Sequence, residues 1–279
     1  MSIESSLPLS MKRQLTDGPG SGRLRSSALA IAGMVALTMM ARPALAQNNG
    51  KGFLFDPPVG SFSIRGGYSL ANAHSEVFAD AMSQLTLSKR DFSGFAWGGD
   101  ISYSMAARLD LVFDGGMASA TEESEVRKFV EDLPGGGSAP ISQSTRYQRV
   151  PLTLGIKYYL ADRGRSVGQF AYIPSKYAPY VGIGAGAMWY KFKQNGDFVD
   201  FASDPTFPDI FSAELESSGW APMAHGAVGL DYTIGPWLAL TGEVRYQWAR
   251  ASLDPQVFVG YDEIDLSSVT GTIGFKVRF

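Results

Sequence analysis

Cysteine is absent, so disulfides, thiolate nucleophiles and thiolate metal sites are excluded. Histidine occurs only twice, as His74 and His225, which leaves little material for imidazole chemistry. There is no excess of basic residues. The formal charge is −3, which argues against a nucleic-acid partner. Long apolar runs are also missing after residue 46. Nothing there approaches the ~20 apolar residues that a membrane-spanning helix needs.

The apolar segment before residue 46 has the grammar of an export signal. Lys12, Arg13, Arg23 and Arg25 form a basic region, and Ala28 to Met40 is an uncharged apolar stretch. Ala44-Leu45-Ala46 then supplies a small-x-small cleavage pattern before Gln47. Residues 1–46 are expected to be a signal peptide and 47–59 a periplasmic N-terminal segment. Met11, followed by two basic residues, is a more natural start than Met1. The leader holds five basic and two acidic residues of the chain's 24 and 27, so the remainder carries 19 and 25, a formal −6.

From residue 60 onward the dominant pattern is period two, the signature of a half-buried strand. Val269, Gly271, Ile273, Phe275, Val277 and Phe279 share one face; Thr270, Thr272, Gly274, Lys276 and Arg278 share the other. Leu238 to Trp248 and Val150 to Leu160 alternate in the same way. Eight strands are predicted, at about 60–71, 92–105, 107–120, 145–160, 177–193, 219–234, 236–251 and 264–279. Pro222 and Pro236 are placed near strand ends, where a missing N–H is tolerated. The links alternate between short (about 104–108, 234–237, and a somewhat longer 161–176) and long (72–91, 121–144, 194–218, 252–263). Short turns on one rim and long loops on the other are the asymmetry of outer-membrane barrels, whose short rim faces the periplasm. The fold class expected for 60–279 is an all-β, eight-stranded antiparallel transmembrane barrel with up-and-down order.

Alternation alone does not say which face is out, since a soluble barrel also alternates. Three features favour lipid outside. By parity, Arg65, Asp100, Asp110, Asp114, Arg149, Lys157, His225, Asp231, Glu243, Arg245 and Lys276 share the polar face, with glycines beside them. Both charge signs are present, so an enclosed ion-pair network can fill the lumen. Trp97, Trp189, Trp220 and Trp248 fall near the long-loop ends. Tyr103, Tyr158, Tyr180, Tyr232 and Trp237 fall near the short-turn ends. Two such bands match interfacial girdles. Finally, the chain closes on Phe275, Val277 and Phe279, the pattern expected of a C-terminal assembly signal.

Several segments carry a family likeness. Arg149-Val-Pro-Leu-Thr-Leu-Gly-Ile-Lys-Tyr-Tyr159, Pro179-Tyr-Val-Gly-Ile-Gly-Ala-Gly186, Gly226 to Tyr232 with Leu240 to Tyr246, and Gly271 to Phe279 are the segments concerned. They resemble strands four to eight of the small bacterial outer-membrane β-barrel family, the OmpW, OmpX and opacity-protein group. The resemblance extends over nearly all of 60–279 and is specific for architecture. It implies no single function, because the group includes adhesins, narrow channels for small apolar molecules and barrels without a known role.

Few segments offer material for catalysis or ligand binding. Serine hydrolysis needs a base within hydrogen-bond reach and an orienting acid. His74-Ser75 sits at a loop mouth, where neighbours point apart, and reads as loop polarity. His225 reads as part of the interior network, beside Asp231 or Glu243; residue 227 is Ala, so the His-x-Ser of lipid-A deacylases is lacking. Asp197, Asp200, Asp204, Asp209, Glu214 and Glu216 make the third long loop acidic, with no Lys or Arg between 195 and 217. Carboxylates suit Ca²⁺ or Mg²⁺, but the spacing fits no metal loop, and a solvated, repulsive loop is the expectation. That loop also holds Phe198, Phe201, Phe207 and Phe211. Gly135-Gly136-Gly137 precedes no helix, so a phosphate loop is not supported. Glu76 to Leu85 is expected as a short lid helix with Phe78, Met82 and Leu85 on one side.

The expected function is therefore non-enzymatic, without cofactor or metal. It is a structural anchor displaying four extracellular loops for adhesion or envelope integrity. The alternatives are a narrow passive channel for small apolar solutes and a lipid-A-modifying enzyme. Expected partners are outer-membrane lipids and lipopolysaccharide, the barrel assembly machinery, periplasmic chaperones and a host or surface ligand.

Overall fold

The computed structural model describes residues 53–132, 136–168, 171–200, 209–261 and 263–279. The expected export signal lies outside these residues, as do Gly135, Phe201, Asp204, Phe207 and the side chains of Asp200 and Asp209. Period-two alternation becomes eight long strands: β1 (Gly60–Ala71), β2 (Gly94–Ala106), β3 (Leu109–Asp132), β4 (Ser138–Tyr159), β7 (Tyr177–Asp200), β8 (Asp209–Thr233), β9 (Leu238–Ser252) and β11 (Ser268–Arg278). Short strands β5 (Gly164–Ser166) and β6 (Tyr172–Pro174) form a hairpin in the 160–176 link, and β10 (Glu263–Asp265) adds to β9. A helix, α1 (Glu76–Gln84), and a 3₁₀ turn (Lys89–Phe92) fill the β1–β2 loop.

Each long strand pairs antiparallel with its neighbour in sequence. The ring closes where β1 pairs β11, with Ile64 opposite Phe275. Closure removes the unpaired edges that an open sheet would expose. Every β1 residue from Ser61 to Ala71 has a β11 partner, so the seam is as complete as the other ladders. Beneath the short-turn rim the chain doubles back, and Leu54 exchanges both backbone hydrogen bonds with Tyr172 of β6.

Two of the expected long loops are corrected. Over their described residues, 121–144 and 194–218 are largely strand: β3 runs 24 residues to Asp132, β4 22 from Ser138, β7 24 to Asp200 and β8 25 from Asp209, so 121–132 with 138–144 and 194–200 with 209–218 are the outer parts of two projecting β-ribbons. Beyond the barrel wall the inward positions are taken largely by polar residues, with Ser124, Gln143, Thr145, Gln194 and Ser217 all buried, so the apolar–polar alternation is lost there. Thr121-Glu-Glu-Ser-Glu125 shows this. The β3–β4 ribbon turns at Gly136 and Gly137, whose φ values of 86° and 125° would strain an L side chain. Pro222 is likewise not near a strand end but inside β8. Its missing N–H is tolerated because β9 pairing stops at Met223, opposite Ala249. β11 begins at Ser268 rather than 264, since the ladder with β9 lapses at Leu266 and Ser267; Glu263–Asp265 pair with β9 in the same register as a separate strand, β10.

The long-loop end is plugged from inside by apolar side chains. Phe78 of α1 is fully buried, with ring contacts to Phe92, Tyr147 and Phe192 at 4.6, 5.3 and 5.7 Å. Met188, Ile264 and Leu266, also fully buried, complete the cluster. α1 buries Val77, Phe78 and Ala81, with Leu85 buried just beyond its end and Met82 partly buried against the same cluster. Tyr261 donates to Asp80 at 2.6 Å and so ties the β9–β10 loop across the top of the helix. Burial and that bond to a carboxylate raise the Tyr261 phenol above its ordinary range.

Candidate functional site

The inside of the barrel is filled by buried ion pairs, with one branched network at mid-height. Inward positions alternate with outward ones along every strand, so strands β1, β2, β3, β9 and β11 deliver Arg65, Asp100, Asp114, Glu243, Arg245 and Lys276 to one lumen. All six are buried. Arg65 touches three carboxylates: it donates from Nη2 to Asp114, and its Nη1 lies 3.0 Å from Glu243 and 3.3 Å from Asp100. Arg245 grips both oxygens of Asp114, at 2.5 and 3.0 Å, and lies 2.8 Å from Glu243. Lys157 of β4 reaches Asp100 at 3.7 Å and Glu243 at 3.9 Å. Ser63 donates to Asp100 at 2.6 Å and Tyr180 to Glu243 at 2.9 Å.

A second cluster lies nearer the short-turn rim. Lys276 donates to Asp231 at 2.5 Å, and Tyr159 donates to the same oxygen at 3.2 Å. Arg163, from the β4–β5 link, closes this end. It donates to Asp110 at 2.6 Å, to Ser104 at 3.0 Å and to the carbonyls of Ala106 and Ala107, with its guanidinium 5.0 Å from the Tyr159 ring. Just outside, Arg108 donates to Asp162 at 2.7 Å, which holds that exposed carboxyl below the usual carboxylate range. Towards the loops, Arg149 donates to Ser69 at 3.0 Å and to the Leu266 carbonyl at 3.3 Å.

Glycines make room for these long side chains. A Cβ at Gly229 would lie 2.3 Å from the Tyr180 ring, and one at Gly184 would lie 2.5 Å from His225. Gly229→Ala is therefore expected to push Tyr180 off Glu243 and cost about 1–3 kcal/mol as overpacking. Equilibrium unfolding of the refolded barrel measures it, and a neutral result would mean Tyr180 moves freely.

Tyr180, expected in the outer girdle, belongs instead to this interior and is fully buried. Its even number gives it the inward parity of Ala178, Gly182 and Gly184 on β7, and a phenol can hydrogen-bond at either address. Trp97, Trp220, Trp248, Tyr103, Tyr158 and Trp237 are exposed on the outer face; Trp189 and Tyr232 are half-buried there. Phe275 and Phe279 are exposed too. Phe279 exchanges backbone bonds with Gly60, each at 3.0 Å, which fixes the chain end against the first strand.

Neither histidine ring is hydrogen-bonded to a serine hydroxyl among the described residues. His225 is half-buried, and its Nδ1 has no hydrogen-bond partner. The structure does not join it to Asp231 by any hydrogen bond. It lines a cavity of about 20 Å³ together with Thr153, Glu243 and Arg245, room for one water rather than a substrate. His74 is exposed, 3.1 Å from Lys89. The acidic ribbon is not purely repulsive: Glu216 and Glu214 pair with Lys191 and Lys193 across the hairpin, each at 2.7 Å. Asp197 accepts from Ser212 at 2.5 Å, and Phe198 stacks on Phe211. Among the described residues no group of three His, Asp or Glu is arranged to hold a metal.

The outer face is the reverse of the inner. Ile273 and Ile183 are 66% and 63% exposed, and Ile64, Phe113, Leu154, Val228 and Val244 stand out beside them. An apolar belt around a whole barrel, with the charges sealed inside, suits hydrocarbon and not water. Fold and site thus define a membrane-spanning β-barrel with a filled lumen.

No family model matches the sequence, and no curated protein matches it. Among solved structures it is similar to the outer membrane protein OprG of Pseudomonas aeruginosa (18% identity, 81% of this chain and 99% of that one, TM-score 0.42). It is also similar to a major outer membrane protein of Thermus thermophilus (12% identity, 79% and 99%, TM-score 0.40) and to Neisserial surface protein A (13% identity, 82% and 98%, TM-score 0.38).

Proposed function

We propose that this chain is a non-enzymatic integral barrel of a bacterial outer membrane that anchors and displays the two β-ribbons and the α1 cap outside the cell, for adhesion or envelope integrity. The observation that carries the reading is a lumen blocked at three levels. Arg163 and Asp110 close the short-turn end, Arg65, Asp114, Glu243 and Arg245 fill the middle, and Phe78, Met188 and Leu266 fill the loop end. Such an interior is a strut. In barrels of this class the short turns face the periplasm, which puts the ribbons outside. Lipids and lipopolysaccharide then contact the apolar belt. The assembly machinery and periplasmic chaperones would meet the chain earlier, through Phe275, Val277 and Phe279.

In planar bilayers the refolded protein is expected to give no conductance steps. A reproducible open level would contradict the strut. Because the chain has no cysteine, a Ser138→Cys variant carries one label site on the β3–β4 ribbon. It should react with a membrane-impermeant maleimide on intact cells, and protection until lysis would reverse the proposed orientation.

One observation favours a second reading, slow passage of a small apolar solute through the wall. The β3–β4 ladder pairs Gly115 with Leu152 and resumes at Ala118 with Arg149, leaving Gly116 and Met117 unpaired with Val150 and Pro151. Pro151 has no N–H to give. A cavity of about 50 Å³ lies here, lined by lumenal Asp114 and Arg245 and by outward Trp97 and Met117. It is about a third of the ~150 Å³ cavity that holds benzene, so passage of a solute of that size would require the gap to widen.

A further inference from the structure

We propose that Arg146, Lys191 and Lys193, with the Gln148 amide, form a binding site for the phosphate of an outer-leaflet lipid headgroup. The inference rests on the orientation given above and names the lipid chemistry that the outer wall takes. The β4–β7 ladder sets Arg146 directly opposite Lys193 and Gln148 directly opposite Lys191. By parity all four share the lipid-side face with Ile183 and Trp189. Like charges directly opposed across a strand pair are destabilising, and of this pair only Lys193 has a carboxylate partner among the described residues. Arg146 donates only to the Thr121 hydroxyl, at 3.3 Å, and makes no ion pair with a described residue. Lys191 and Lys193 are steadied by Glu216 and Glu214, each at 2.7 Å. An ammonium has three donors, so both keep hydrogens for another acceptor.

Height selects the ligand. Trp189 stands directly opposite Trp220 in the ladder with β8. At about 3.3 Å per residue, Lys191 and Lys193 lie roughly 7 and 13 Å further along the strand. Tryptophans of a girdle sit at the headgroup level, so the three cations stand where lipid phosphates lie. A guanidinium fork matches two phosphate oxygens at once, and a phosphomonoester, with a charge of about −1.5 to −2, rewards three cations more than the single-charge diester of a choline or ethanolamine headgroup, which its own cation offsets. Another outward cation at this end, Arg250 of β9, stands opposite Asp265 in its ladder rather than opposite a second cation, and serves as a control.

The test uses the full chain refolded into nanodiscs of phosphatidylcholine doped with either diphosphoryl lipid A or its dephosphorylated form. Lipid retained on the protein after mild detergent extraction is quantified by mass spectrometry. Wild type and Arg250→Gln should both enrich the phosphorylated lipid. Arg146→Gln/Lys193→Gln should reduce that enrichment at least about tenfold, and Arg146→Lys should reduce it less. Millimolar inorganic phosphate should leave the enrichment in place. Equal enrichment by wild type and the double variant, equal retention of both lipids, or loss to inorganic phosphate alone would overturn the site. Heat-modifiable gel migration confirms that each variant is folded. A nanodisc offers lipid at both rims, so this result is independent of orientation in cells, which the Ser138→Cys label reads separately.

Discussion

Replacing Arg65 by methionine is expected to lower the unfolding free energy by about 3–5 kcal/mol, the range for removing one member of a buried ion cluster. Arg65 alone faces Asp100, Asp114 and Glu243, all buried. Arg245 and Lys157 remain after its loss, so three buried carboxylates are left with two cations. Guanidinium unfolding of the barrel in micelles, followed by tryptophan fluorescence, gives the number. A loss under about 1 kcal/mol would mean that solvent reaches the network, and the strut reading would fail with it. The Lys276–Asp231 pair supplies the contrast. Lys276→Met alone should be costly, whereas Lys276→Met with Asp231→Leu should come back to near wild type, because a buried pair and an apolar pair of similar volume are close in free energy.

How much of this was legible in the sequence depends on where alternation holds. Inside the membrane each residue has one of two addresses, lipid or lumen, so parity places Arg65, Asp114, Lys157 and Glu243 on one face without a structure. Tyr180 was readable by the same rule, since it shares the parity of Gly182 and Gly184; grouping it with the other tyrosines by residue type overrode that signal. Met188, Tyr190 and Phe192 follow the glycines on the same inward face and mark where the lumen turns from charged to apolar. Arg163 could not be found this way, because the 160–176 link has no period and its contact with Asp110 spans 53 positions. The ribbons were missed for a related reason. Their inward positions are held largely by polar residues such as Ser124, Gln143, Gln194 and Ser217, so no apolar stripe marks one residue in two, and the strands continue on backbone hydrogen bonds and cross-strand pairs such as Lys193 with Glu214.

The sidedness itself is best tested at Ile183. It lies six residues from Tyr177 and six from Trp189, outward residues near the two ends of the barrel wall on β7. Twelve residues at ~3.3 Å make about 40 Å of strand, which at a tilt of ~40° spans roughly 30 Å, the thickness of a hydrocarbon core. Ile183 therefore marks the midplane, and it is 63% exposed. On a soluble protein a substitution at so exposed a position would stay within about 0.5 kcal/mol of wild type. Here Ile183→Lys is expected to cost about 2–4 kcal/mol, falling towards about 1 kcal/mol or less when the lysine is moved to the wall's edge at Tyr177. Unfolding in phospholipid vesicles measures both variants under the same conditions. The depth dependence is the decisive part. A lysine that merely disturbed packing would have no reason to cost more at Ile183, where the outer face is bare, than at Tyr177, where a ring contact to Tyr232 is also lost. Equal, small losses at the two sites would place water, not hydrocarbon, against the apolar belt.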